Sequence, residues 1–386
     1  MHSLVPVIAD KFKKHFPGEP LLVVSPGRVN LIGEHTDYNE GFVLPGAVDK
    51  AVVFALRART DGVCDLVSHD FDQEFRCEFG ALNRSPVRWP DYLIGVVDQF
   101  LRGGHRIKGF NVVFGGDIPI GAGMSSSAAI EGGLAFGLNQ LYGLGIDPVQ
   151  LALLAQRAEN EFVGVRCGIM DQFINLNGHE KRVLKLDCRS LAFEHVPFER
   201  TDLRVVVCDT LVRRELASSE YNVRRRQCEE GVAVVAGHVA GVKSLRDVTL
   251  DMLEAHKDEI DPVVYKRCAY VVRENARLLA GCEDLERGDV KAFGEKMYGS
   301  HEGLRDEYEV SSTELDALVE AARQVPGVLG ARMMGAGFGG CTINLVEEGA
   351  VAEFEARVSH DYEAVTGNAP KVHVVRIEAG THAVEL

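Results

Sequence analysis

In FNVVFGGDIPIGAGMSSSAAIEGG (residues 110–133) an apolar strand, a glycine turn and a helix follow one another without a break. FNVVFG (110–115) has the β-branched and aromatic make-up of a strand, and a helix is expected from about Ser126 to Tyr142. The turn between them holds Gly121, Ala122, Gly123 and Met124 and ends in Ser125, Ser126 and Ser127. Small residues let a backbone come close to an anion. The free N–H groups of a first helical turn, together with the helix dipole, then favour its charge. Taken alone, the segment reads equally well as an ordinary Ser-capped helix after a glycine turn. No lysine follows the glycines, so this is not the GxxxxGK[ST] P-loop, and the HRD and DFG signatures of protein kinases are missing too.

On either side, strands and helices mix without the regular βαβ alternation of a doubly wound sheet, which points to an α+β fold. LLVVS (21–25), AVVFALRAR (51–59), QEFRCEF (73–79), RVLKLD (182–187) and LRVVVCD (203–209) read as strands, with Pro197 in a loop between the last two. Asp147 and Pro148 start a helix with Gln150 placed to close a capping box, and Leu151, Leu154, Ala155 and Ala158 follow at helical spacing. Ser311 and Glu314 form a similar capping box. The chain closes on a strand–helix–strand unit: CTINLV (341–346), a helix over 350–365, and KVHVVRI (371–377). Two domains are expected, 1–197 and 198–386.

Composition narrows the function classes. Of 386 residues, 42 are Lys or Arg and 57 Asp or Glu, a net charge of −15, which argues against non-specific nucleic-acid binding. No apolar run approaches the ~18 residues of a membrane span, and the first residues, MHSLVPVIADKFKKHF, lack the apolar core of a signal peptide. Nine cysteines without a CxxC pair fit neither a disulfide framework nor a zinc site, and a reduced, cytoplasmic compartment is expected.

Three further segments carry chemistry. PGRVNLIGEHTDYNEG (26–41) packs Glu34, His35 and Asp37 beside Arg28 and Asn30, while Val29, Leu31 and Ile32 anchor it to a core. Such a cluster is often a charged surface turn. Dense carboxylates and hydrogen-bonding groups also suit a ligand rich in hydroxyls. MMGAGFGGCTINL (333–345) satisfies GxGxxG through Gly335, Gly337 and Gly340. It runs into a strand rather than a helix, so the dinucleotide-binding reading fails on context. In VRCGIMDQFINL, Asp171 stands alone among apolar residues, as a cap or a paired structural carboxylate would. In SSEYNVRRRQCEE (218–230), Arg224, Arg225 and Arg226 read most simply as a solvated helix face.

Taken together and in this order, GRVNLIGEHTDYN, PIGAGMSSSAA, CGIMDQF, LASSEYNVRRRQCEE and GAGFGGC resemble the galactokinases, a branch of the GHMP family of small-molecule kinases, over nearly the whole chain. The resemblance implies a first domain like ribosomal protein S5 domain 2, a ferredoxin-like α+β second domain, and an active site between them. It implies ATP-dependent phosphorylation of galactose at the C1 hydroxyl, with Mg²⁺. By position, Glu34, His35, Asp37, Gly168 and Tyr221 would hold the sugar, and residues Gly121 to Ser127 would wrap the ATP phosphates. Ser127 and Glu159 would hold Mg²⁺, Asp171 would be the catalytic base and Arg28 an electrostatic stabiliser. Ser68 and Trp89 match weaker nucleotide-side positions. In DTLVRREL (209–216), Asp209 and Leu211 depart from the family's Asn-Ser-Asn run just before Tyr221, which bears on acceptor choice.

Phosphoryl transfer through a loose transition state asks mainly for positioning and charge stabilisation, which these residue types supply. Rival readings are a kinase for N-acetylgalactosamine, galacturonate or arabinose, a non-catalytic sugar and ATP sensor, and an NAD oxidoreductase resting on GAGFGG alone. A monomer with small-molecule substrates only is expected.

Overall fold

Strand Leu21–Asn30 begins with the expected LLVVS and runs on through Arg28 and Asn30, so PGRVNLIGEHTDYNEG (26–41) starts inside a strand. The computed structural model describes every residue except 1, 120, 166 and 213–216, with side chains 217–219 also outside the description. Position 120 of the serine loop, position 166 of VRCGIMDQF and the end of DTLVRREL therefore lie outside the described residues.

Leu21–Asn30 is second in a six-stranded sheet of order His382–Val384, Leu21–Asn30, Pro45–Ala58, Phe110–Gly116, Val63–Ser68, Gln73–Glu78. All neighbours are antiparallel except Val63–Ser68 beside Phe110–Gly116, whose connection carries the helix Trp89–Arg102. The register slips between Pro26 and Arg28. There the serine loop presses on the strand: Arg28 N–H donates to Met124 O at 3.1 Å, and a Cβ on Gly27 would sit 2.8 Å from that oxygen. Helix Ser126–Tyr142 lies against Leu21–Asn30 and Pro45–Ala58. Its glycine pair explains the close approach, since a Cβ on Gly133 would lie 2.7 Å from the Ser25 side chain and one on Gly132 would run into Asn175. Phe54, Leu56, Phe100, Leu134, Leu138 and Phe173 fill the core between sheet and helices.

The next helix, Pro148–Arg157, is capped by the Asp147 carboxylate, which accepts from Gln150 N–H at 3.1 Å; this is the Asp147 half of the expected box. The helix loosens into a π-turn over Ala158–Val163 and ends at Gly164, φ +88°. Such π-turns recur at functional sites, and this one carries Glu159. Pro197 lies in a strand rather than a loop. It ends Phe193–Pro197, the edge strand of a three-stranded sheet with Phe42–Val43 and Arg182–Asp187, where a missing N–H is tolerated.

In the second half, four antiparallel strands run in the order Val328–Met334, Cys341–Glu347, Leu203–Asp209, Lys371–Val375. Counted along the chain this is 2-3-1-4, with helices in the first and last connections, and the expected ferredoxin-like arrangement holds. Helix Thr313–Arg323 is capped by Ser312, which accepts from Leu315 N–H at 3.3 Å, and not by Ser311, whose hydroxyl is held by Asp316. The division expected at 197/198 falls between Phe193–Pro197 and Leu203–Asp209, and the last strand, His382–Val384, crosses back to the first sheet. No described helix is long and apolar enough to cross a membrane.

Candidate active site

Asp171, on the helix Met170–Asn177, is a paired carboxylate, and its partners come from two of the sequence motifs. Arg28 Nε and Nη2 donate to its two carboxylate oxygens at 2.8 and 2.7 Å, the bidentate geometry in which a guanidinium fixes a carboxylate in direction as well as distance. Ser125 Oγ donates to Asp171 Oδ2, and Arg28 Nη1 donates to Gly123 O. Burial works against the Arg28 charge, but the Asp171 carboxylate outweighs it and holds the guanidinium pKa above its ordinary value. Ser125 has left-handed backbone, φ +55°, and heads the helix Ser126–Tyr142 without capping it. Its hydroxyl goes to Asp171, so Ser125 makes no side-chain cap on the first-turn N–H groups, and the ordinary Ser-capped helix is not what forms here.

Two cavities meet at this group. One, of about 700 Å³, is lined by Arg28, Glu34, His35, Asp37, Gly168, Asp171 and Tyr221. Glu34 Oε1 accepts from Arg332 Nη2 at 3.1 Å and Gly335 N–H at 2.9 Å. His35 has left-handed backbone, φ +63°. Burial pushes its imidazole down to about 4, so the ring is neutral. Its Nε2 lies 3.2 Å from Ala336 O, which can only accept, so Nε2 carries the proton and Nδ1 accepts from Tyr38 OH at 2.8 Å. Tyr38 O in turn accepts from Tyr308 OH at 2.7 Å. Both His35 nitrogens are thus engaged, and the ring offers the cavity its face and edge. Burial raises the Asp37 carboxyl to about 6, with Asp171 and Glu34 adding to the effect. A Cβ on Gly168 would run into the Asp37 carboxylate, so only glycine leaves room there. The Tyr221 ring stands edge-on to Tyr38, centroids 5.0 Å apart.

The second cavity, of about 780 Å³, is lined by Gly121, Gly123, Met124, Ser125, Ser126 and Ser127, with Tyr92, Asp209 and Leu211 opposite. It shares Arg28, Gly335 and Ala336 with the first. Ala122 turns inward and is fully buried. Ser127 hydrogen-bonds to the Glu159 carboxylate, whose pKa is raised by burial and by Asp171. Among the described residues no basic side chain pairs with Glu159 or with its neighbour Glu131. A hydroxyl beside a buried, uncompensated carboxylate, at the edge of an anion cradle, is a donor set that fits Mg²⁺.

One described family model, the galactokinase galactose-binding signature, matches residues 10–58. The GHMP kinase N-terminal domain matches 91–179 and the C-terminal domain 283–364. A galactokinase of Roseiflexus sp. is 42% identical over 378 residues, 98% of this chain and 96% of that protein. One of Fusobacterium nucleatum is 40% identical over the full length of both. The chain belongs to the galactokinase family. The solved structure of Lactococcus lactis galactokinase complexed with galactose superposes with a TM-score of 0.94 at 35% identity, covering 99% of this chain and all of that one. Methanococcus jannaschii mevalonate kinase, at 18% identity and a TM-score of 0.66, shares the fold.

Within this family frame the structure adds to the sequence reading and corrects it. Arg224 is not part of a solvated face: it is buried, and donates to the carbonyls of Tyr308 and Glu309 at 2.8 and 2.7 Å. Arg225 and Arg226 are exposed, beside Glu229 and Glu230. Asp209 and Leu211 border the serine-loop cavity rather than the Asp37 cavity. Ser68 and Trp89 line neither cavity: the Ser68 hydroxyl accepts from Phe71 N–H, and Trp89 Nε1 donates to Gln73. Arg332, fully buried, was missed; it holds Glu34 and the carbonyls of Asn30, Leu31 and Met333. An arginine inside the apolar run VLGARMM was the signal that could have found it.

Proposed function

We propose that the protein transfers the γ-phosphoryl group of ATP to the C1 hydroxyl of galactose, giving α-galactose 1-phosphate and ADP. What carries this reading is the Arg28–Asp171–Ser125 group at the junction of a hydroxyl-binding cavity and an anion cradle. Glu34, Asp37 and Tyr221 hold the sugar, with His35 shaping its wall, and the loop from Gly121 to Ser127 takes the ATP phosphates on its backbone N–H groups. A sugar hydroxyl is far too weak an acid to lose its proton beforehand. Asp171 therefore orients it and accepts the proton late, as the new P–O bond forms. Arg28, in contact with both cavities, offsets charge on the transferring group. Ser127 and Glu159 would hold Mg²⁺, which when bound neutralises phosphate charge. Two domains divided near residue 197, a monomeric state and a cytoplasmic location complete the reading.

The deciding measurement is coupled ADP release with ATP, Mg²⁺ and a panel of sugars. Galactose is expected to lead. Glucose differs only at C4, and losing that hydroxyl partner leaves a buried carboxylate unpaired, so discrimination can reach ~10⁴-fold. Equal or higher kcat/KM for glucose or N-acetylgalactosamine would overturn the assignment, and no turnover with any sugar would mark a sensor.

A further inference from the structure

The helix Met170–Asn177 carries two polar side chains in succession, and they serve different partners. Asp171 meets Arg28 and Ser125; Gln172, fully buried, turns the other way. Its side-chain amide donates to Glu159 Oε2 at 2.6 Å and to Glu131 Oε2 at 3.0 Å. Two carboxylate oxygens take both amide protons, and that fixes the orientation of the amide, because its oxygen would be repelled in the same place. Glu131, also fully buried, takes the second amide proton and itself lies against Glu159. The Gln172 Oε1 and Glu131 Oε1 atoms have no partner among the described residues.

The choice of residue has a chemical consequence. A lysine or arginine at this position would also hold Glu159, but it would cancel the carboxylate's charge and compete with a cation. A neutral double donor fixes the carboxylate and leaves its charge intact. We infer that Gln172, braced by Glu131, is a positioning residue that presents Glu159 to the divalent cation and ties it to the helix bearing Asp171. The inference rests on the reading of Ser127 and Glu159 as cation ligands. Groups that orient metal ligands typically change metal affinity by about 10–100-fold when removed.

The test compares Gln172→Met, which keeps volume and loses both donors, with Glu131→Gln, which keeps an acceptor for the amide, and with Glu159→Gln. Mn²⁺ binding in the presence of ADP is read by electron paramagnetic resonance, and galactose affinity by calorimetry without metal or nucleotide. For Gln172→Met, the Mn²⁺ Kd and the Mg²⁺ concentration for half-maximal rate are both expected to rise at least ~10-fold. Galactose Kd should stay within about twofold, and kcat should recover at saturating Mg²⁺. Glu131→Gln should resemble wild type. If Gln172→Met fails to fold, as lost galactose binding would reveal, Glu131→Leu removes the second amide acceptor instead and should shift Mn²⁺ binding in the same direction. Unchanged Mn²⁺ binding in the folded variant, with Glu159→Gln impaired, would overturn the positioning role alone. Unchanged binding in Glu159→Gln as well would overturn the ligand assignment, and the positioning role with it.

Discussion

Asp171 has both carboxylate oxygens committed to Arg28 and Ser125, which suits a group that aims a hydroxyl. Asp171→Asn keeps the volume and removes the proton acceptor, so kcat is expected to fall by about 10²–10⁴ with galactose affinity nearly unchanged. A rate within tenfold of wild type would leave Asp171 with positioning only. Asp37 offers a pH signature. Its carboxyl is raised to about 6 by burial, so the proton-bound form is favoured in the fold, and the empty protein loses stability as pH rises through that value. Sugar hydroxyls donate better to the ionised form, so with Asp37 as a sugar ligand galactose is expected to bind the ionised protein preferentially. One pH unit below the pKa only about a tenth of the sites are ionised, so galactose Kd at pH 5 should be about tenfold weaker than at pH 7. Calorimetry without nucleotide checks this, and Asp37→Asn should flatten the profile. A flat wild-type profile would remove Asp37 from sugar binding. At this scale the sequence singled out Arg28, Glu34, His35, Asp37 and Asp171, which the structure brings around one cavity. It did not show which were already spoken for, because the Ala336 carbonyl that fixes the His35 proton comes from a distant segment and meets it only once the chain has packed.

At the scale of elements, glycine-rich stretches in the sequence gave positions but not purposes. GAGFGG was legible as something other than a dinucleotide fingerprint because a strand follows it, and the structure shows why it is so rich in glycine. Gly335, Gly337, Gly339 and Gly340 all have positive φ, and Phe338 does too at +58°. That winding aims Gly335 N–H at Glu34 and the Ala336 carbonyl at His35. Strand and helix limits were harder to read, as Pro197 and Ser312 show, since a strand edge and a cap each depend on one hydrogen bond that periodicity does not encode. Gly337 has φ +83°, and a Cβ there would run into the Val310 carbonyl. Gly104 has φ +74° with open space around it. Gly104→Ala should therefore lose only about 1–2 kcal/mol, the left-handed penalty. Gly337→Ala should lose more, and should raise the galactose KM as Gly335 moves off Glu34. Denaturant unfolding of the two variants and galactose kinetics check this. Equal stability losses would mean that the loop shifts freely.

Over the whole molecule, the two halves were legible as two kinds of fold, one built around the serine loop and one closing in a strand–helix–strand unit. The return of the chain end to its beginning was not. Nothing in THAVEL (381–386) marks it as a partner of residues 22–24, because edge-strand pairing rests on backbone groups common to every sequence. The junction is specific all the same. Buried Thr381 Oγ1 lies 2.8 Å from Asn175 Oδ1 and 3.0 Å from both Asn175 O and Ser25 Oγ, while Asn175 Nδ2 donates to Ser25 Oγ at 3.0 Å and Pro26 O at 2.7 Å. The tail thus bears on the helix that carries Asp171, one turn away, and on the strand that carries Arg28. Thr381→Val preserves shape and removes the hydroxyl, leaving the buried Asn175 Oδ1 unsatisfied while Asn175 O keeps the Thr381 N–H, a loss of about 1–3 kcal/mol. Urea unfolding should show that decrease. Because Asn175 can still hold Pro26, kcat should fall by much less than in Asp171→Asn. Wild-type stability in Thr381→Val would mean that the tail merely rests on the sheet. A rate loss as large as that of Asp171→Asn would mean that the tail sets the position of Asp171 itself.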